Sequence, residues 1–428
     1  MPVALVDARV TPRDVEAAAR TLEGLVRETP VVAAGELGRR TGARVWLKAE
    51  NLQLTGSFKP RGASNRCAHL SRAELEAGVV AASAGNHAQG VAYAARRLGG
   101  RATLCMPAGA PLAKRAAVEQ YGGEVRLIPG SFDDAQDAAR AFAEAEGRTL
   151  VPAFDDPLVV AGQGTVGLEL AAQAPRTRLV VVPVGGGGLV TGVAMSVKDR
   201  LGDVRVVGVQ SEECAPYPAS IAAHRPIGAR SANTICDGIA VKRPGDITLP
   251  LVERWVDDVV TVSDDQVAEA MVLLLERSKL VVEGAGAVGV AALLHGLVTP
   301  PDDGDVCVVL SGGNVDASLL AECIRLGETS AGRRVVLSTV VPDRPGALAG
   351  LLRLVADHGA NVIEVSHLRD GVDLHVRETA IQLVLQTTGP DHDHEVLEAV
   401  RAEGFSVPRT APGGSAPGST PAAAAQGP

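Results

Sequence analysis

Three apolar runs in this chain of 428 residues each end in a glycine-rich loop, and that repetition narrows the possible folds more than any other feature. Val79-Val80-Ala81-Ala82 leads into Ser83-Ala84-Gly85-Asn86-His87, and Leu179-Val180-Val181-Val182-Pro183-Val184 leads into Gly185-Gly186-Gly187-Gly188. The third, Val306-Cys307-Val308-Val309-Leu310, leads into Ser311-Gly312-Gly313-Asn314. Short apolar runs without polar alternation read as strands buried on both faces, the pattern of parallel sheets. Strand candidates at 45–48, 102–106, 125–128 and 206–209 alternate with helical stretches, so the expectation is an α/β fold of parallel sheets flanked by helices. Glycine at the carboxyl ends of such strands is where open α/β sheets bind ligands.

A fourth motif, Leu54-Thr55-Gly56-Ser57-Phe58-Lys59-Pro60-Arg61-Gly62, sets a lysine beside these loops. Lysine condenses with an aldehyde cofactor, and burial lowers its pKa so that a neutral amine can attack and later accept a proton. Gly185 to Gly188 can bring several N–H groups onto one phosphate, because no Cβ blocks the approach and the next helix favours an anion. Ser83-Ala84-Gly85-Asn86-His87 offers backbone donors and an amide at a strand-to-helix turn, a cradle for an α-carboxylate.

Further runs complete a set: Ala153-Phe154-Asp155-Asp156, Ala161-Gly162-Gln163-Gly164-Thr165 with Glu169, Thr234-Ile235-Cys236-Asp237-Gly238-Ile239-Ala240, and Glu283-Gly284-Ala285-Gly286-Ala287. In order and spacing these motifs resemble the pyridoxal-phosphate β-family, fold type II, and within it the threonine dehydratases, over residues from about 10 to about 328. The resemblance implies two lobes with pyridoxal 5'-phosphate between them. It implies that Lys59 carries the cofactor and acts as the base, and that Phe58 and Gly185, Gly186, Gly187 and Gly188 hold it. It also implies that Asn86 bonds the phenolic oxygen, that Ser311 faces the pyridine nitrogen, and that Ser83, Ala84, Gly85, Asn86 and His87 receive the substrate. His87 has two readings, a substrate contact or a structural cap of its own turn.

Two departures from the serine racemases bear on the reaction. They place a hydroxyl on the cofactor face opposite the lysine, where this chain has Ala84, so dehydration is expected over racemisation. Their divalent-cation carboxylate is replaced by Gln210, with Glu212 and Glu213 nearby, and whether these bind an ion is left open. The expected activity is that of a threonine ammonia-lyase, giving 2-oxobutanoate and ammonia, with serine a slower substrate. The alternatives are serine racemase/dehydratase or β-replacement chemistry, and a non-catalytic amino-acid sensor.

Lys and Arg number 41 against 50 Asp and Glu, a net charge of −9, and aromatics make up 2%, so neither the charge nor the stacking platforms for nucleic acid are present. The N-terminus lacks the basic start and apolar core of a signal peptide, and no run of eighteen apolar residues occurs, so no membrane span and a cytoplasmic location are expected. Six cysteines without C-x-x-C spacing read as free thiols. No metal is expected, His392-Asp393-His394 included.

The domains are expected at 1–328 for the catalytic part, 329–334 for a linker, 335–408 for a second module and 409–428 for a disordered tail rich in Pro, Gly, Ser and Ala. Thr11-Pro12 with Asp14 opens a helix expected to reach Val26, and Ser71 with Glu74 and Ser263 with Gln266 read as capping boxes. The composition break near Gly327 precedes a strand at 335–341, a helix marked by Leu348, Leu351, Leu352 and Val355, and a strand at 361–367. A hairpin turn at Asp370-Gly371, a strand at 379–387, a helix at 392–403 and a strand at 405–407 complete a βαββαβ, ferredoxin-like order. With Asp343-Arg344-Pro345-Gly346-Ala347-Leu348 it resembles the ACT domain, which implies an amino-acid effector, isoleucine or valine, at Arg344, Gly346, Ala347, Leu348 and Asn361. The other reading of this module is subunit contacts alone. A homo-oligomer is implied by the family.

Overall fold

The computed structural model describes residues 10–369 and 374–407. Backbone contacts divide the chain into a unit ending at Leu320 and a second beginning at Ala321. In chain order the strands are β1 Val31–Ala33, β2 Arg44–Ala49, β3 Val79–Ala82, β4 Ala102–Pro107, β5 Gly123–Ile128, β6 Thr149–Leu150, β7 Thr177–Pro183, β8 Arg205–Ser211, β9 Asp258–Val262 and β10 Asp305–Leu310. In the second unit they are β11 Arg334–Pro342, β12 Asn361–Leu368 and β13 Glu378–Gln386.

The first unit holds two sheets. The smaller has the order β5-β4-β3-β6 and is parallel throughout. The larger has the order β1-β2-β10-β7-β8-β9 and is parallel except for its edge strand β1. Every residue of β10 is buried, as a central strand covered by helices on both faces requires. The loops after β3, β7 and β10 therefore leave carboxyl ends of parallel strands, as expected. No helix among the described residues is long and apolar enough to cross a membrane.

The three capping signals form. Thr11 and Asp14, Ser71 and Glu74, and Ser263 and Gln266 each satisfy one another's backbone N–H groups. The first helix is shorter than expected, Pro12–Thr21, because the chain turns at Gly24, which adopts the left-handed φ of 71°. The expected linker is shorter too. The helix Ala317–Ser330 runs through Gly327, since Glu328 and Thr329 continue its hydrogen bonding, and only three residues separate it from β11.

A buried ion network anchors the helix Lys59–Ala68 in the first unit. The Arg61 guanidinium is fully enclosed and donates to Glu50 Oε1 and Oε2, both at 2.8 Å, to Glu169 Oε1 at 2.6 Å and Oε2 at 2.9 Å, to Thr165 Oγ1 and to the Arg27 carbonyl. Lys48 donates to Glu169 Oε2 at 2.6 Å and to the carbonyl of Thr29, whose hydroxyl in turn donates to Glu50. Burial alone would raise the Glu50 pKa, but the attraction of Arg61 brings it below the ordinary carboxylate value. Two cations and two carboxylates thus share one enclosed site, each with its hydrogen bonds made.

The second unit is a sheet of order β11-β13-β12, antiparallel throughout, with the helices Ala347–Asp357 and Pro390–Ala402 packed on it through Leu337, Val341, Leu351, Ile381, Leu383 and Val396. Residues 405–407 do not form the expected final strand. The Phe405 N–H bonds back to the Val400 carbonyl and closes the last helical turn instead of joining a ladder. Phe405 and Val407 still pack against the core, which explains their apolar pattern. The expected turn at Asp370-Gly371 and the expected tail from 409 lie outside the described residues.

Candidate active site

Lys59 opens its helix, followed by Pro60, whose fixed φ suits a first turn. The preceding residues are tied to the loop after β10: Ser57 bridges Gly312, and the Phe58 N–H donates to the Ser311 carbonyl at 3.1 Å. Lys59 Nζ lies 5.1 Å from the Phe58 ring centre and donates to the Ala153 carbonyl at 3.0 Å. Gly90, in the helix Asn86–Arg97 after β3, crosses directly behind it; a Cβ there would stand 3.0 Å from the Lys59 carbonyl carbon. Burial pushes the Lys59 amine down from 10.5 to about 8, against a smaller upward pull from the Glu283 carboxyl.

A pH dependence follows. Capture of an aldehyde requires the neutral amine, so uptake of cofactor by the apoprotein should rise with pH and level off above about 8. Stopped-flow absorbance from about pH 6 to 10 checks this, since an ordinary lysine would still be gaining rate near 10.

Gly185 to Gly188 join β7 to the helix Gly188–Leu201. The loop is pressed against protein on one side: a Cβ on Gly186 would fall inside the Phe154 ring, and one on Gly187, with φ 90°, on the Tyr217 hydroxyl. The Gly186 carbonyl accepts from Tyr217 Oη at 3.1 Å and Thr248 Oγ1 at 2.7 Å. Because a trans peptide sets C=O and N–H on opposite sides, the Gly187 N–H points away from both. The N–H groups of Gly185 to Gly188 find no acceptor among the described residues. Donors left unpaired in a largely buried loop at a helix N-terminus fit the phosphate of pyridoxal phosphate. Lys59 and this loop are joined through one short run, Ala153 holding the amine and Phe154 lying under the glycines.

The loop after β3 is half-buried from Ser83 to Asn86. Ser83 Oγ accepts from the Gly85 N–H at 3.1 Å, and a Cβ on Gly85 would meet nothing within 4 Å, so this turn borders open space beside Ala84. Asn86 Nδ2 donates to Glu283 Oε1 at 2.7 Å, and Asn86 Oδ1 accepts from Asn314 Nδ2 at 2.6 Å. His87 takes the structural reading: it is buried, its Nε2 donates to the Val151 carbonyl at 2.9 Å, and burial holds its pKa near 3, so it stays neutral. Ser311 directly follows β10, with Oγ 3.4 Å from the Ala285 carbonyl, a loose contact that leaves the hydroxyl available to a ring nitrogen.

Other expected residues fall elsewhere. The Gln210 amide is engaged within the protein, donating to the Val184 carbonyl and accepting from the Tyr217 N–H. No group of three or more His, Cys, Asp or Glu among the described residues is placed to hold a metal ion. His392 commits both ring nitrogens, to the His358 carbonyl and the Thr388 N–H. In the second unit Asn361 pairs with Gln386, which faces Arg334, whereas Arg344, Gly346, Ala347 and Leu348 follow Pro342 at the other end of β11. Eight residues of strand separate the two ends, about 26 Å, so one module does not bring Asn361 to that loop.

Glu283 and Asn314 are members of the site that the motifs named only in passing. The sequence signal for Glu283 is an acidic residue set directly before the apolar helix Gly284–Leu294, a place where a carboxylate usually caps; here it makes no side-chain cap and turns to Asn86 instead.

Comparison with known proteins agrees with this geometry. A family model described as pyridoxal-phosphate dependent enzyme matches residues 22–312, and an ACT domain model matches 335–405. The chain is 45% identical over 398 residues to the L-threonine ammonia-lyase of Thermotoga maritima, covering 93% of this chain and 99% of that protein. It is 41% identical over 317 residues to the catabolic L-threonine dehydratase of Escherichia coli (strain K12), covering 74% of this chain and 96% of that one. The processed form of threonine deaminase isoform 2 from Solanum lycopersicum superimposes with a TM-score of 0.70 at 34% identity, covering 73% of this chain and 86% of that one. The chain belongs to the pyridoxal-phosphate dependent enzyme family and carries an ACT domain C-terminal to its catalytic part.

Proposed function

We propose that this chain is a threonine ammonia-lyase, converting L-threonine to 2-oxobutanoate and ammonia and L-serine, more slowly, to pyruvate and ammonia. Bound pyridoxal phosphate supplies an electron sink for the Cα electrons. Lys59, whose amine burial brings down to about 8, takes the Cα proton. Gly185 to Gly188 would hold the phosphate through their N–H groups, Asn86 would offer its second amide N–H to the phenolic oxygen, and Ser311 would offer its hydroxyl to the ring nitrogen. The donors of Ser83, Ala84, Gly85 and Asn86 receive the substrate carboxylate. A neutral serine at the ring nitrogen moderates the sink, which favours loss of the β-hydroxyl over deeper carbanion chemistry. The observation that carries this reading is a depressed lysine joined by Ala153-Phe154 to a glycine loop with unpaired donors. Ala84 decides against racemisation, since its methyl supplies no proton on the face opposite Lys59.

Regulation by an amino acid is assigned to the ACT domain, at the loop carrying Arg344, Gly346, Ala347 and Leu348, with isoleucine or valine as the effector. Asn361 joins that site only if a second copy supplies it, which agrees with the homo-oligomer expected for the family. Buried cysteines such as Cys67, Cys105, Cys214, Cys236 and Cys307, which form no disulfide, fit a reducing compartment, and we place the enzyme in the cytoplasm.

One experiment tests both parts. The purified full chain should release 2-oxoacid from threonine, with serine about 10–200-fold poorer, and should leave residual serine in the L form. Truncation after Ser330, the last residue of its helix, should keep this activity and lose any response to isoleucine or valine. The Escherichia coli dehydratase, matched over 96% of its own length by 74% of this chain, supports an independent catalytic part. D-serine in quantity would overturn the role of Ala84, and a full response after truncation would move the effector to the catalytic unit.

A further inference from the structure

The amide of Asn86 is held at both ends by groups whose donor and acceptor roles are set elsewhere. Asn314 Nδ2 donates to the Thr55 carbonyl at 2.7 Å as well as to Asn86. A carbonyl only accepts, so this atom of Asn314 is the nitrogen, and the Asn86 atom facing it is the oxygen. Asn86 Nδ2 therefore faces Glu283, which must accept. Glu283 is 5% exposed, seated against Gly312, where a Cβ would clash with its Oε1, and its one side-chain hydrogen bond among the described residues goes to Asn86. Asp237, Lys114 and Lys59 face it from neighbouring elements without bonding to it. A buried carboxyl with a single partner is costly to retain for stability alone.

We propose that Glu283 is a positioning residue that, through Asn86, keeps an amide N–H turned to the cofactor held over Lys59. Without this acceptor the amide is released from one end. Its nitrogen is then free to rotate away, and a donor to the phenolic oxygen is lost or exchanged for a repelling oxygen. The inference rests on the contact assigned to Asn86 under Proposed function.

The test reads cofactor affinity of the full-length apoprotein by fluorescence titration, with no substrate present. Glu283→Met, which removes the acceptor at similar volume, should weaken binding at least about tenfold, the size of one hydrogen bond to a charged group. Glu283→Gln, which keeps an acceptor oxygen, should restore affinity to within about threefold of the parent. The double variant Glu283→Met with Asn86→Ala should bind no more weakly than Asn86→Ala alone. Parent-like binding by Glu283→Met, equal weakening by Glu283→Gln, or additive losses in the double variant each overturn the proposal. Should Glu283→Met fail to fold, Glu283→Ala takes its place, and parent-like affinity there overturns the proposal as well. An unchanged Asn86→Ala would instead refute the cofactor contact assigned to that residue, while threonine turnover is measured separately.

Discussion

Lys59→Ala is expected to abolish turnover while leaving the protein folded. Loss of the base alone removes about 10²–10⁴-fold of rate, and loss of the covalent anchor removes the remainder. The fold should persist because the amine makes one hydrogen bond, to the Ala153 carbonyl, and its helix is anchored two residues on by Arg61. Borohydride reduction of the native protein, followed by peptide mapping, should place the cofactor on the peptide containing Lys59. A label on any other lysine would refute the assignment. A variant that still releases 2-oxobutanoate at the parent rate would refute the role as base.

Arg61→Met should have the largest effect on stability. It leaves Glu50 enclosed without the guanidinium that bonds both its oxygens, with only the charge of Lys48, which does not bond to it, and strips Glu169 of two hydrogen bonds. Breaking a buried pair by removing one partner costs about 3–5 kcal/mol, a fall in melting temperature of roughly 5–15 °C for a unit of this size. The sign with pH is fixed by Glu50. In the parent its pKa is depressed, so its contribution is present above the ordinary carboxylate pKa and lost as pH falls through the folded value. In the variant burial is opposed only by Lys48 and the Thr29 hydroxyl and raises that pKa relative to the parent, so the gap between parent and variant should widen from about pH 5 to pH 8. Adding Glu50→Gln to Arg61→Met should recover part of the loss. Thermal unfolding across that range is the measurement, and a gap that narrows with rising pH would refute the account.

Lys59, the tetrad and the loop after β3 were legible because each is a contiguous motif at the end of a strand whose burial is written in its own apolar run. The partners of those motifs were less legible. Asn86 and Glu283 lie 197 residues apart, and no local pattern indicates that a carboxyl ahead of an apolar helix will turn to an amide on another lobe. Arg61 and Glu169 stand within recognised motifs, yet their pairing over 108 residues is set by the crossing of two helices. His87 was ambiguous from sequence because a turn histidine suits either use, and only the Val151 carbonyl decides it. Residues 405–407 show why a pattern of apolar side chains is a weaker signal than a ladder: the side chains reached the core while the backbone closed a helix. Asn361 and the loop at 343–348 shared a family role but not an end of the sheet, which follows from strand direction and length rather than composition.

The pairing of β2 with β10 joins Arg44–Ala49 to Asp305–Leu310, almost the full length of the catalytic unit apart. During synthesis the strand that leads into Lys59 must wait for about 260 further residues before its central neighbour exists, roughly 13–50 s at ordinary elongation rates. The smaller sheet, whose strands are all encoded between residues 79 and 150, faces no such delay. A nascent chain would therefore hold one finished lobe and one unfinished lobe for much of its time on the ribosome, with apolar strands β7 and β8 awaiting cover. Cofactor capture then becomes a timestamp of a completed catalytic unit, because Ser311 and Gly312, which hold Phe58 and Ser57 beside the lysine, arrive only with the last strand of the large sheet.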